Sequence, residues 1–145
     1  MHEFLFAGIA VSFIITECTG FSPGGIVAAG YLAMFAFQPG WLAGTMATAL
    51  VTYRIITAVQ NHMLLFGRRL FTLYLLTGIF VSQAATWLVS IKLTGESGLL
   101  VIGYLIPGLI ARDFGRQGIL PTVLWILAAV AITRLIVLAG EGVVW

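Results

Sequence analysis

The chain alternates between long apolar stretches and short breaks that are rich in glycine, proline and charge. Apolar stretches recur three times in each half of the chain, and a helix of about 20 such residues crosses a bilayer. The stretches run from Phe4 to Thr16, Ile26 to Phe37, Trp41 to Val59, Leu70 to Ile91, Leu99 to Ile110 and Thr122 to Leu138. The pattern predicts an all-α integral membrane protein with about six transmembrane helices, some of them short or broken.

Two of these stretches are much shorter than a spanning helix, and they share a spacing of small residues. The spacing is glycine, four residues, glycine, two apolar residues and alanine, and it starts at Gly25 and again at Gly103. A helix of this length covers only part of the roughly 30 Å hydrocarbon core. We expect both segments to be broken, re-entrant or extended by unwound backbone.

Each short stretch is followed by a stretch that opens on a proline and contains an arginine, Arg54 in the first half and Arg134 in the second. This recurrence indicates an internal duplication within one membrane domain, residues 1–145, with repeat one at about 4–62 and repeat two at about 70–140. Because each repeat holds an odd number of segments, the repeats are inverted if all of them cross. If the short segments only dip in and return, four helices cross and the repeats are parallel.

Composition and charge fit this reading. The chain is 61% hydrophobic and only 8% charged, against about 25% charged residues in soluble domains. With six crossings, one side of the membrane receives four arginines, and the positive-inside rule makes that side cytoplasmic. These arginines are Arg68, Arg69, Arg112 and Arg116. We expect the first segment to be a retained span, since it lacks a basic n-region.

The sequence offers no candidate catalytic residue or metal site. Cys18 is the single cysteine, and His2 and His62 stand far apart without ligand-like neighbours. The glycine-rich breaks lack the Lys-Ser/Thr pair of a phosphate-binding loop, and a net charge of +2 is too small to indicate nucleic acid. We expect no catalysis by this chain alone and no cofactor bound to it.

Five residues are candidates for an anion pathway. Glu17 follows a long apolar stretch, where a lone carboxylate is costly, so we expect it to be paired or to face a cavity unless helix tilt puts it at the interface. Arg54 and Arg134 either point into the bundle or snorkel to the surface. Gly30 and Gly108 mark half-helix N-termini that could attract anions, and a kink that improves packing is the alternative.

The basic segments around Arg68, Arg69, Arg112 and Arg116 have two readings. Arginines in such loops commonly fix topology or contact anionic lipid. The more specific interpretation is that these arginines form a docking surface for a cytoplasmic partner.

Five motifs occur here in the order found in the PgsC/CapC family, which this chain resembles over nearly its whole length. They are Thr16-Glu17-Cys18-Thr19-Gly20, Gly25 to Ala33, Phe66-Gly67-Arg68-Arg69, Ile106 to Ala111 and Arg116-Gln117-Gly118. The chain departs from the family pattern at Cys18, where the family has arginine, and at Ala29, where it has proline.

The resemblance implies the small membrane subunit of a poly-γ-glutamate synthase in the bacterial cytoplasmic (inner) membrane. The implied partners are a PgsB/CapB-like ligase, which would hold ATP and a divalent metal, and a PgsA/CapA-like membrane-anchored subunit. The chain would support polymerisation and guide the anionic polymer, poly-γ-glutamate, out of the cell. A small secondary transporter or channel and a purely structural scaffold for the ligase are the alternatives, and a homo-oligomer is allowed.

Overall fold

A computed structural model describes residues 2–35, 39–92 and 104–143. Within these ranges the chain forms six α-helices and no strand. They are α1 (His2–Thr19), α2 (Ala28–Met34), α3 (Pro39–Gln60), α4 (Arg68–Lys92), α5 (Ile106–Gln117) and α6 (Ile119–Val143). The predicted all-α fold class is confirmed for the described residues, and the predicted start of the fifth apolar stretch at Leu99 lies outside them.

Among the described residues, three helices are long and apolar enough to cross a membrane, in the ranges Gly40–Gln60, Arg68–Leu88 and Ile119–Gly140. The apolar part of α1, Leu5–Thr19, is shorter. Large apolar side chains cover the outside of the long helices, since Phe80 of α4 is 80% exposed and Leu120 of α6 is 76% exposed. A surface of this kind suits lipid rather than water.

Several buried hydroxyl groups in α3, α4 and α6 have hydrogen-bond partners within their own helices. Thr45, Thr48 and Thr52 form a buried stripe along α3, and each hydroxyl donates to the carbonyl oxygen four residues earlier at 2.8 Å. Thr133 of α6 does the same at 2.7 Å, and Ser82 of α4 at 2.6 Å. Because these hydroxyls are satisfied locally, they can lie in an apolar environment.

The two short helices lie where the sequence predicted interruptions, but α5 extends further than expected. Residues after Ile110 were predicted to form a break, whereas α5 continues to Gln117. The reason is amphipathic periodicity, because Ala111 and Phe114 stay on the buried face while Arg112 and Arg116 take the other face. The expected loop arginines Arg112 and Arg116 therefore lie on a helix.

Glycine pairs bring each short helix into close contact with a long one. Gly8 of α1 packs against the backbone of Gly30 in α2, and Gly78 of α4 packs against Gly108 in α5. A Cβ atom at Gly78 would lie 2.6 Å from the Gly108 Cα atom, which is closer than real side chains approach. Only glycine therefore permits this helix separation.

The helix contacts follow the same order in both halves. α1 packs against α2 and α6, just as α4 packs against α5 and α3, and α2 contacts α6 as α5 contacts α3. The largest core cluster joins the two short helices to α6 through Leu32, Ile110, Phe114 and Ile126. The short helices thus lie in the middle of the bundle with the long helices around them.

Candidate functional site

One end of the bundle brings together the end of α3, the start of α4 and the last turns of α5. A cavity of about 260 Å³ lies between them, and we call it the basic cavity. Its lining residues are Gln60, Gly67, Leu70, Phe71, Tyr74, Arg112, Gly115 and Arg116. Helix ends from three separate parts of the chain therefore build one concave surface.

Two arginines one turn apart on α5 give this cavity its charge. The Arg112 guanidinium carbon lies 4.8 Å from the centroid of the Phe71 ring, a cation–π contact that positions the side chain. Arg116 is exposed. Arg68 and Arg69 are also exposed, at the start of α4 and beside the lining residues. The four arginines lie at one end of the bundle, where their charges add to a local positive potential.

Asp113, between these arginines in sequence, makes its hydrogen bonds with a different element. It is buried, and its carboxylate accepts a hydrogen bond from the Ser22 hydroxyl, while the nearby Gly25 backbone N–H donates to the Ser22 Oγ atom at 3.0 Å. Gln117 adds a bond from its side-chain nitrogen to the Ser22 carbonyl oxygen at 3.4 Å. We call these contacts the polar lock, since they tie the segment between α1 and α2 to the end of α5.

Burial and the neighbouring polar and charged groups have opposite effects on the pKa of Asp113 in the polar lock. Asp113 lies beyond the apolar part of its segment, and burial raises the pKa of its carboxyl group. The hydrogen bond from Ser22 and the charges of Arg112 and Arg116 act in the opposite direction. Within the described residues, one carboxylate oxygen of Asp113 has no hydrogen-bond partner. The lock thus holds a carboxyl group whose charge is costly at this position.

The segment in the lock requires glycine. Gly24 and Gly25 adopt φ values of 77° and 91°, a region that residues with a Cβ atom rarely occupy. A Cβ atom at Gly24 would also lie 3.1 Å from Ile110 and 3.2 Å from Ile126. The turn can therefore lie flat against α5 and α6 only without a side chain at this position.

The predicted pathway residues with charge lie towards the outside of the bundle. Glu17 is exposed and sits two residues before the end of α1, a position that favours the interfacial alternative. Arg54 is exposed on α3, and Arg134 is half-buried on α6. α3 packs against α4 and α5, whereas α6 packs mainly against α1 and α2. The pathway role of these residues stays a prediction.

Burial also changes which residues of α3 and α6 correspond. The patterns of buried and exposed positions coincide when Thr52 is matched with Thr133 and Ile56 with Val137, all of them buried. In this register Arg54 corresponds to Leu135, and Arg134 to a tyrosine. In this alignment Arg54 and Arg134 are therefore offset by one position, although the residues around them in the sequence are similar.

Gly30 and Gly108 lie where the sequence placed the starts of two half-helices. α2 begins at Ala28 and α5 at Ile106, two residues before each glycine. Both glycines are buried, and their contacts with Gly8 and Gly78 are those of close helix packing. This geometry favours the packing alternative, and an anion-binding role for the glycines stays a prediction.

Neither the polar lock nor the tyrosine of the basic cavity was predicted from the sequence. Asp113 lies between Arg112 and Arg116 in a charged segment, and nothing in the local sequence shows that Ser22 lies beside it. Tyr74 sits inside an apolar stretch, where it looks like an ordinary core residue. A usable signal existed for Gly8 and Gly78, since each opens a run of glycine, three residues, serine, three residues and threonine.

Comparison with known proteins places these features in a family context. The family model described as capsule biosynthesis CapC matches residues 7–123. A capsule biosynthesis protein CapC from Bacillus anthracis is 36% identical over 116 residues, 79% of this chain and 78% of that protein. The PGA biosynthesis protein CapC of Bacillus subtilis (strain 168) is 35% identical over the same shares. No solved structure matches the chain, and every residue lining the basic cavity falls in the matched range.

Proposed function

Because the chain belongs to the CapC family of capsule biosynthesis proteins, we propose that it is the multi-pass membrane subunit of a poly-γ-glutamate synthase in the bacterial cytoplasmic membrane. It supports ATP-dependent polymerisation of glutamate by a PgsB/CapB-like ligase and guides the polymer outwards. A PgsA/CapA-like subunit completes the complex, and ATP and a divalent metal bind to the ligase. The family match carries this proposal.

The proposed topology has six segments in two inverted repeats. The basic cavity gathers the end of α3, the start of α4 and the end of α5, and the polar lock adds the segment that follows α1. Helices α1, α3 and α5 then run towards the arginine end, and α2, α4 and α6 run away from it. The positive-inside rule makes this end cytoplasmic.

A repeated motif supports the duplication. Residues 8–16 read Gly-Ile-Ala-Val-Ser-Phe-Ile-Ile-Thr, and residues 78–86 read Gly-Ile-Phe-Val-Ser-Gln-Ala-Ala-Thr. In each run the threonine hydroxyl donates to the serine carbonyl oxygen, at 2.7 Å from Thr16 and 2.9 Å from Thr86. Each opening glycine packs against the short helix of its own half. The shared threonine bond and glycine contact support a proposed origin of both runs from one repeated unit.

The arginine end is the proposed docking surface for the ligase. Arg68 and Arg69 are exposed at the start of α4, and Arg116 is exposed near the end of α5. Guanidinium groups form paired hydrogen bonds with carboxylates, so this surface fits an acidic patch on a cytoplasmic protein. Docking here would place newly made polymer next to the membrane.

Export is assigned to Arg54 and Arg134, together with Glu17 and the short-helix starts at Gly30 and Gly108. A poly-γ-glutamate chain carries one carboxylate per unit, so spaced arginines can pass it along if each binds weakly. Since Arg54 is exposed, its side of α3 would face the polymer between this chain and a neighbouring subunit. A second copy of the chain or a partner segment completes such a path.

Polymer synthesis in inverted membrane vesicles tests the proposal. Vesicles contain the ligase with or without this chain, and polymer is measured separately in the lumen, which corresponds to the outside of the cell, and in the medium. We expect ATP-dependent polymer in the lumen only when this chain is present. Arg54→Ala plus Arg134→Ala should lower the luminal fraction several-fold while total synthesis persists.

Arg68→Ala plus Arg69→Ala is the matched control, because it removes the same charge at the proposed docking surface. We expect this variant to lower total synthesis and ligase binding without changing the luminal fraction. Unchanged export in the Arg54/Arg134 variant would exclude the guiding role. Transport of small solutes without ligase or ATP would instead indicate a transporter.

A purely structural scaffold is the second candidate function. It is favoured by the exposed positions of Glu17 and Arg54, which do not enclose a path within one chain. A scaffold predicts that the Arg54/Arg134 variant keeps both synthesis and export, provided that the complex assembles. Only the docking surface would then be sensitive to loss of charge.

A further inference from the structure

The basic cavity shares Arg116 with the proposed docking surface, but neither ligase docking nor polymer guidance as proposed above uses its interior. Its volume of about 260 Å³ falls just below the range of about 300–1,000 Å³ that is typical of pockets for drug-sized ligands. A protein surface docks on exposed groups around such a cavity and does not fill it. The size suits one amino-acid-sized group or one headgroup.

The charged groups of the cavity converge on its interior from α5. Arg112 is held against the Phe71 ring, and Arg116 lines the cavity one turn later. The carboxylate between them in sequence also contacts another element, because Asp113 accepts a hydrogen bond from the Ser22 hydroxyl. This contact occupies part of the carboxylate, although its charge still acts on Arg112 and Arg116.

Neutral donors complete the lining. Tyr74 is only 2% exposed, and its hydroxyl oxygen would lie 2.5 Å from a Cβ atom at Gly115. The absence of a side chain at Gly115 thus leaves room for this hydroxyl beside the cavity. Gln60 at the end of α3 adds an amide that can donate or accept. Two guanidinium groups with two neutral polar groups form a typical donor set for an oxyanion.

We propose that the basic cavity binds an oxyanion group, a carboxylate or a phosphate, of a small anionic ligand. Arg112 and Arg116 supply the charge, and Tyr74 and Gln60 orient the group. Such a group can come from the cytoplasm, as the carboxylate of glutamate or of a γ-linked glutamyl chain. It can also come from the membrane, as the phosphate of a lipid headgroup.

Binding to the purified full chain in an uncharged detergent tests this site without the ligase. Titration calorimetry uses three probes: γ-glutamylglutamate, glycerol phosphate and inorganic phosphate. We expect saturable binding that weakens as salt rises. Arg112→Gln plus Arg116→Gln should weaken it about ten-fold or more, since charged hydrogen bonds are lost. Arg68→Gln plus Arg69→Gln removes equal charge outside the cavity and should change affinity less than about two-fold.

A pair of uncharged variants tests the cavity shape. Tyr74→Phe keeps the ring and removes the hydroxyl, so we expect weaker binding with an unchanged melting temperature. Gly115→Ala fills the space beside the hydroxyl and should weaken binding as well. The proposal is overturned if no probe binds saturably, or if the Arg68/Arg69 variant weakens binding as much as the Arg112/Arg116 variant.

The choice of probe identifies the source of the oxyanion. Tighter binding of γ-glutamylglutamate than of glycerol phosphate assigns the cavity to the polymer or its precursor, and the reverse order assigns it to lipid. Both results support an oxyanion site. Because the measurement needs neither ligase nor export, the site can fail while the proposed function stands, and the vesicle assay can fail while binding is observed.

Discussion

The short helices α2 and α5 start alike and end differently. Each begins two residues before a glycine that packs against a glycine of a long helix. α2 is seven residues long and ends among aromatic rings, with Phe35 stacked on Trp41 at 5.0 Å between ring centroids. α5 has 12 residues and ends in the basic cavity and the polar lock.

This difference distinguishes the residues that pack the helices together from those that form the basic cavity and the polar lock. The glycine contact recurs in both halves, so it belongs to helix packing. Of the two short helices, α5 ends in turns that carry charged residues and α2 does not. The aromatic end of α2 suits the opposite membrane interface, where tryptophan and tyrosine are enriched.

The largest effect is expected from breaking the shared start of the two helices. Gly8→Leu and Gly78→Leu each place a side chain where the backbone of the short helix lies, and overpacking of this kind costs about 1–3 kcal/mol or more. We expect both variants to melt at lower temperature and to be poorly recovered as monodisperse protein. Size-exclusion chromatography in detergent after a heating series measures this.

Gly140→Leu is the control for this pair, because nothing lies within 4 Å of a Cβ atom at Gly140. It should melt like the unaltered protein. If Gly78→Leu and Gly140→Leu had equal melting temperatures, close glycine packing would not be a determinant of this fold.

A smaller effect should follow from breaking only the end of α5. Asp113→Ala leaves the Ser22 hydroxyl without this acceptor, at a cost of about 1–3 kcal/mol. Asp113→Asn keeps an acceptor oxygen and should cost less. Thermal melts of Asp113→Ala, Ser22→Ala and the double variant measure the coupling. Additive losses would show that the two side chains act independently.

The smallest effect should come from the end of α2. Trp41→Leu removes the ring stacked on Phe35, and such aromatic pairs contribute about 0.5–1.5 kcal/mol. Trp87→Leu is the matched control, since Trp87 is 68% exposed. We expect a small fall in melting temperature for the first variant and almost none for the second. A larger loss at Trp87 would contradict this order.

Much of the fold followed from the apolar pattern. Glycine and proline punctuate the apolar runs of the sequence. This pattern predicted the helices, the two interruptions and the approximate starts of the short helices near Gly30 and Gly108. The location of Arg68 and Arg116 at the same end was predicted by counting the apolar segments that separate them. The family followed from motifs distributed along the chain.

The rest depends on contacts between residues far apart in sequence. The helical continuation past Ile110 depends on a buried face that packs against other helices, chiefly α3, α4 and α6. The burial patterns of α3 and α6 align Arg54 with Leu135 instead of Arg134, and the sequence alone does not report which side of a helix is buried. The lock between Asp113 and Ser22 has no local signature, since each residue alone is ordinary for a helix end or a turn.

The polar lock also has a consequence for biosynthesis. Gln117 and Ser22 are separated by 95 positions, which a ribosome needs roughly 5–20 s to translate. The segment after α1 therefore cannot make its contact with Gln117 until most of the protein has been synthesised. The threonine hydroxyls satisfied within α3 need no such delay, so that helix can enter the bilayer alone. The polar lock can therefore form only after the chain has been synthesised as far as Gln117.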